Sequence, residues 1–127
     1  MVAEVGPGLC VLLGVAAGDS EQRAERLARR VAQLRVFENE EGKFDRCLLD
    51  VAGEALVVSQ FTLIADTSKG NRPSFSSAAP PEEAEPLYAV FCDALRAAGV
   101  PVATGWFGAR MLVELANEGP VTVMLEA

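Results

Sequence analysis

The chain has 127 residues, half of them hydrophobic and 23% charged, which suits one globular domain and leaves little room for a second. Eleven Lys/Arg stand against eighteen Asp/Glu, a net charge of −7, which disfavours a broad nucleic-acid clamp but not a local basic patch. Histidine is absent, which removes Ser-His-Asp and Cys-His catalysis and the commonest zinc ligand.

In chain order, Gly6-Pro7-Gly8 reads as a turn, and the apolar run Leu9 to Val15 as a buried strand. Asp19, with Gln22 three residues on, has the spacing of a helix N-cap and capping box. Ala24, Leu27, Ala28, Val31 and Leu34 recur at helical spacing, so a helix is expected from about Ser20 to Leu34 with that stripe on the core. The same stretch holds five of the eleven basic residues: Arg23, Arg26, Arg29, Arg30 and Arg35. They read either as a solvated face with pairs such as Glu25 and Arg29, or as a patch for the end of an RNA. Val36-Phe37 suggests a short strand, and Glu38 to Lys43 an acidic turn.

Ala55 to Leu63 reads as a central strand, and Ala65 to Ala79, with Gly, Asn, Pro and four serines, as a long loop of the kind that often carries function. Pro80-Pro81-Glu82-Glu83 opens a second helix, with Leu87, Phe91 and Leu95 on its buried face, and Gly99 and Pro101 end it. Strands are expected at Val102–Thr104, Met111–Ala116 and Val121–Leu125. Strands outnumber the two helices and do not alternate with them regularly, so the fold class is α+β, a single domain of mixed or antiparallel sheet. Cys10, Cys47 and Cys92 form no CxxC pair and lie among apolar residues. An odd count, with no order of residues resembling a signal sequence, points to reduced thiols and a cytoplasmic location.

Two clusters could carry chemistry. Ser59-Gln60-Phe61-Thr62 sets polar groups at the end of an apolar strand, where a buried hydroxyl or amide without a partner costs about 1–3 kcal/mol. They read either as satisfied strand-end residues or as a site; a Thr62 nucleophile would need a base, for which Asp66 and Lys69 are the nearby candidates. Asn117-Glu118-Gly119-Pro120-Val121-Thr122 reads as a turn whose X-Pro bond can be cis, with Thr122 able to tie it down by a side-chain hydrogen bond.

Together SQFT and NEGPVT resemble the D-aminoacyl-tRNA deacylase family. GPGLCVLLGVA, DTSKGNRPSF, PPEEAEPLY and GWFGARM fall in register with that family as well, so the resemblance runs the length of the chain. It implies a cofactor-free, metal-free hydrolase that acts on the acceptor end of aminoacyl-tRNA and works as a homodimer. It implies that Gly119-Pro120 is cis and enters the active site of the other subunit, rejecting L-amino acids while D-aminoacyl and glycyl esters are cleaved. By the same resemblance Ser59, Gln60, Phe61 and Thr62 form the catalytic wall, with backbone N–H groups facing the ester carbonyl. Phe107, Gly108 and Met111 border the terminal adenosine, and Asn117 and Thr122 support the turn. The implied chemistry is RNA-assisted, the ribose 2′-hydroxyl helping to activate water, which agrees with the missing histidine.

Two departures from the family stand out. The family begins about two dozen residues earlier, with a strand that this chain is expected to lack. Glu118 stands where Asp is usual. A non-catalytic homologue that keeps the dimer or binds tRNA ends, and a metal-free esterase using Thr62, are the alternative readings.

Overall fold

The computed structural model describes residues 2–127. Strand β1 (Gly8–Leu13) is followed by helix α1 (Glu21–Gln33), the short strands β2 (Phe37–Glu38) and β3 (Phe44–Arg46), and strand β4 (Glu54–Ser59). A single 3-10 turn (Phe61–Ile64), helix α2 (Pro81–Ala97) and strand β5 (Val102–Thr104) complete the regular elements. β1, β4 and β5 form a three-stranded sheet in the order β1-β4-β5, and β2 and β3 an antiparallel ribbon.

The main sheet is parallel. Gly8 to Leu13 pair in register with Glu54 to Ser59, and Ala55 to Val57 with Val102 to Thr104. Parallel neighbours need a crossover, which α1 supplies between β1 and β4, and α2 between β4 and β5. The centre strand accordingly carries consecutive apolar residues, with Ala55, Val57 and Val58 all buried. Around it Leu13, Ala28, Val31, Leu48, Phe91, Leu95 and Val100 close one core. The start of β1 admits only glycine, since a methyl on Gly8 would run into the backbone of Glu54. Tyr88 spans the layers and donates its hydroxyl to the Val57 carbonyl at 2.7 Å. With two helices, a parallel sheet and an antiparallel ribbon, the α+β class holds.

Three expectations need correction. The N-cap of α1 is Ser20, whose hydroxyl accepts the Arg23 N–H at 3.2 Å. Asp19 instead holds the Ala16 N–H at 2.8 Å and pairs with the Arg23 side chain. The central strand stops at Ser59 rather than continuing to Leu63, because the Gln60 N–H makes the last rung with the Leu13 carbonyl at 2.8 Å and the chain then tightens into the 3-10 turn. Segments 111–116 and 121–125 are not strands: the alternation is there, but among the described residues no ladder partner lies beside them. Leu112 (87% exposed), Leu115 (61%), Val123 (55%) and Met124 (81%) consequently face outward.

All three strands of the parallel sheet run the same way, so Gly14, Gln60 and Gly105 leave it on one edge. Ligands of open parallel sheets bind outside this carboxyl edge.

Candidate functional site at the carboxyl edge of the sheet

Ser59 and Gln60 are half-buried at the end of β4, while Phe61 and Thr62 are exposed. The 3-10 turn is closed by the Leu63 N–H on the Gln60 carbonyl and the Ala65 N–H on the Thr62 carbonyl, both at 3.2 Å. It sits directly on the end of β1, where a side chain at Gly14 would press on Leu63 and Ile64. The N–H groups of Phe61 and Thr62 open the turn, ahead of any carbonyl it can offer, and find no acceptor among the described residues. Two adjacent donors at the strand end are thus left without a partner among the described residues.

The Gln60 amide donates to Thr62 Oγ1. Neither candidate base reaches that hydroxyl. The Asp66 carboxylate is engaged by Ser68, whose side chain and backbone N–H (2.9 Å) hold its pKa below the usual carboxylate range. Lys69 is exposed and forms no bond to Thr62. An activated Thr62 nucleophile therefore has no support in the geometry.

The loop at 65–79 is fastened to this edge. Asp66 and Ser74 exchange both backbone hydrogen bonds, at 2.7 and 2.8 Å, and Phe75 meets the Phe61 ring edge-on with centroids 5.1 Å apart. Its far end pairs with the exit of β1 through Ala17 to Ser77 and Ala79 to Val15.

Phe107, Gly108 and Met111 follow β5 on the same edge. Phe107 is half-buried with its ring 5.9 Å from that of Tyr88. Gly108 takes a φ of +76° in a turn closed by the Ala109 N–H on the Trp106 carbonyl. Met111 folds back so that its sulfur occupies the space a side chain at Gly105 would need. Trp106, 69% exposed, joins Phe107, Tyr88 and Cys92 around a shallow depression that sequence reasoning did not single out. A lone tryptophan between Gly105 and Gly108 was its only signal. Burial pushes the Tyr88 hydroxyl up to about 12 and raises the Cys92 thiol.

The Gly119–Pro120 bond is cis, and Gly119 has a φ of +134°. Asn117 Oδ1 accepts the Val121 N–H at 3.0 Å, and its Nδ2 donates to Thr122 Oγ1 at 3.1 Å, so Asn117 and Thr122 do brace the turn. Among the described residues no hydrogen bond joins this turn to Ser59–Thr62. It borders an open groove between β1 and the last dozen residues. Glu118 is exposed. Among the described residues no three His, Cys, Asp or Glu side chains converge as metal ligands would, and no helix is long and apolar enough to cross a membrane.

Residues 1–126 match the family model described as D-Tyr-tRNA(Tyr) deacylase. The D-aminoacyl-tRNA deacylase of Roseiflexus sp. (strain RS-1) is 59% identical over 127 residues, covering all of this chain and 82% of the relative. That of Ruegeria pomeroyi is 57% identical over 126 residues, covering 99% and 87%. Among solved structures, a c-Myc DNA unwinding element binding protein superposes with a TM-score of 0.90 at 44% identity, over 97% of this chain and 84% of that one. A "probable eukaryotic D-amino acid tRNA deacylase" superposes with a TM-score of 0.66 over 84% and 77%, at 17% identity, a likeness of fold alone.

Proposed function

The chain belongs to the D-Tyr-tRNA(Tyr) deacylase family, and from that membership we propose how it cleaves the ester of D-aminoacyl-tRNA. The observation that carries the proposal is the pair of unengaged N–H groups of Phe61 and Thr62 at the carboxyl edge of the sheet, in a chain with no histidine. The ester carbonyl oxygen sits against these donors, which stabilise the negative charge that develops as water adds to the carbonyl carbon. The ribose 2′-hydroxyl takes part in activating that water. The bond between the carbonyl carbon and the ribose 3′-oxygen then breaks, and the departing oxygen takes a proton. Ser59 and Gln60 hold the turn, and Thr62 Oγ1 positions through Gln60 rather than attacking. Orientation of this kind contributes several kcal/mol of barrier reduction.

Residues 1–127 act as one domain, in the cytoplasm, and two copies pair. The exposed side chains of Leu112, Leu115, Val123 and Met124 favour an apolar partner. The Gly119 and Pro120 carbonyls of one copy reach the site of the other and occupy the space into which an L side chain projects; a D side chain points away, and glycine has nothing to clash. Phe107, Gly108 and Met111 border the terminal adenosine. The test is deacylation of D-Tyr-tRNA and L-Tyr-tRNA by the same enzyme preparation. Rapid loss of the D ester with the L ester intact supports the proposal, and equal rates overturn it.

A further inference from the structure

Of the eleven Lys and Arg residues, five (Arg23, Arg35, Lys43, Arg46 and Arg96) engage carboxylates. Three of the others, Arg26, Arg29 and Arg30, lie exposed on α1, and Arg30 is spent on the Glu126 carbonyl at 2.7 Å. The pair expected between Glu25 and Arg29 does not form. The remaining three, Lys69, Arg72 and Arg110, all stand on the segments that leave the carboxyl edge.

The charge there runs against the rest of the molecule. Residues 60–79 and 105–111 hold these three cations and one carboxylate, Asp66, in a chain of net charge −7. Asp66 holds the Ser68 N–H at 2.9 Å, and among the described residues it forms no ion pair with Lys69. The tip from Ser68 to Arg72 is exposed and turns at Gly70, with φ of +65°. Its base is pinned beside the site by the Asp66–Ser74 bonds and the Phe61–Phe75 contact. Exposed Asn71 adds a neutral amide of the kind that meets phosphate oxygens.

We propose that Lys69 and Arg72, on the pinned loop beside Phe61, bind phosphates of the single-stranded 3′ end of the tRNA and position its ester over the Phe61 and Thr62 donors. This rests on the deacylase reading above. It explains how an acidic protein holds a polyanion: a few cations at the point of entry replace a basic surface. Arg110 stands on the same edge, after β5. Lys69 and Arg72 hold phosphate equally in the bound and transition states and take no part in the bond-making steps, so their loss falls on KM.

Lys69→Gln, Arg72→Gln and the double variant test this on two substrates: D-Tyr-tRNA, and the 3′-O-D-tyrosyl ester of adenosine, which has no phosphate. KM for the tRNA should rise roughly fivefold for each cation, the upper end for an exposed ion pair, with kcat and the rate on the adenosine ester unchanged. The dependence of log affinity for deacylated tRNA on log salt should flatten by roughly 1.4 in the double variant, about 0.7 for each single-strand contact. Equal losses on both substrates would mean that the loop acts through the fold of the site, and would overturn the proposal. So would unchanged behaviour on both, or the same flattening produced instead by Arg26→Gln with Arg29→Gln. If the parent enzyme cleaves no D ester, the deacylase reading fails separately; the salt dependence of tRNA binding then still decides on the loop, and absence of tRNA binding refutes it.

Discussion

Asn117 and Thr122 clasp the turn that lies between them: the Asn117 amide donates to Thr122 Oγ1 at 3.1 Å while its carbonyl oxygen holds the Val121 N–H at 3.0 Å. Both bonds are exposed, so each is worth about 1 kcal/mol or less. In the proposed mechanism their importance is positional: the carbonyls of Gly119 and Pro120 would exclude a side chain only while they stay where the turn puts them. Asn117→Ala should therefore keep most of the activity on D-Tyr-tRNA and raise that on L-Ala-tRNA. The D-to-L rate ratio measures it, and an unchanged ratio would mean that Asn117 does not hold the excluding wall.

Thr62→Ala should slow turnover severalfold without abolishing it, because the hydroxyl accepts the Gln60 amide and meets no base. Replacing the terminal 2′-hydroxyl by hydrogen should cost far more, on the order of 100-fold or greater if it acts in proton transfer. A dead Thr62→Ala enzyme that cleaves the 2′-deoxy substrate normally would restore the threonine as nucleophile.

Tyr88 gives the fold a dependence on alkaline pH. Burial raises its hydroxyl to about 12 from an ordinary 10, so the folded state favours the neutral phenol. The associated stability is complete below pH 10 and is lost as pH rises through 12. Tyr88→Phe removes the hydrogen bond to Val57, at a cost of about 1 kcal/mol at neutral pH. Its melting temperature should then fall less steeply between pH 10 and 12 than that of the parent. Parallel curves would contradict this.

Gly8→Ala should separate stability from catalysis. Its methyl collides with the Glu54 backbone at the amino end of the sheet, the far end from Ser59–Thr62. Overpacking of this kind costs about 1–3 kcal/mol. The melting temperature should drop while kcat at low temperature stays within twofold, and an unchanged melting temperature would show that the strand shifts freely.

Elements whose partners lie in the chain were legible from it. The stripe Ala24, Leu27, Ala28, Val31 marked α1, and the apolar runs at Leu9 and Ala55 marked the two strands that pair. Boundaries were harder, because they depend on single competing bonds. Ser20 rather than Asp19 caps α1, since Asp19 is drawn to the Ala16 N–H. Phe61 and Leu63 fit a strand by residue type, yet the pairing of Gln60 with Leu13 ends the ladder and leaves the two free donors of the proposed site. The alternation in Met111–Ala116 and Val121–Leu125 describes a strand's two faces but cannot supply its neighbour. Of the candidate site, SQFT was legible as polar residues ending an apolar strand, and NEGPVT as a turn whose X-Pro bond can be cis. The unpaired state of Lys69 and Arg72 was not, because ion pairing is decided by three-dimensional neighbours.

The central claim is that selection comes from exclusion of the L configuration rather than recognition of a D side chain. It is tested most directly by measuring hydrolysis of D-Tyr, D-Asp, Gly and L-Ala esters on suitable tRNAs at one enzyme concentration. The account predicts comparable cleavage of the first three, whose substituents project away from the Gly119–Pro120 carbonyls or are absent, and survival of the L-Ala ester. Cleavage of the L-Ala ester at a rate like that of D-Tyr, or rejection of the glycyl ester, would contradict it.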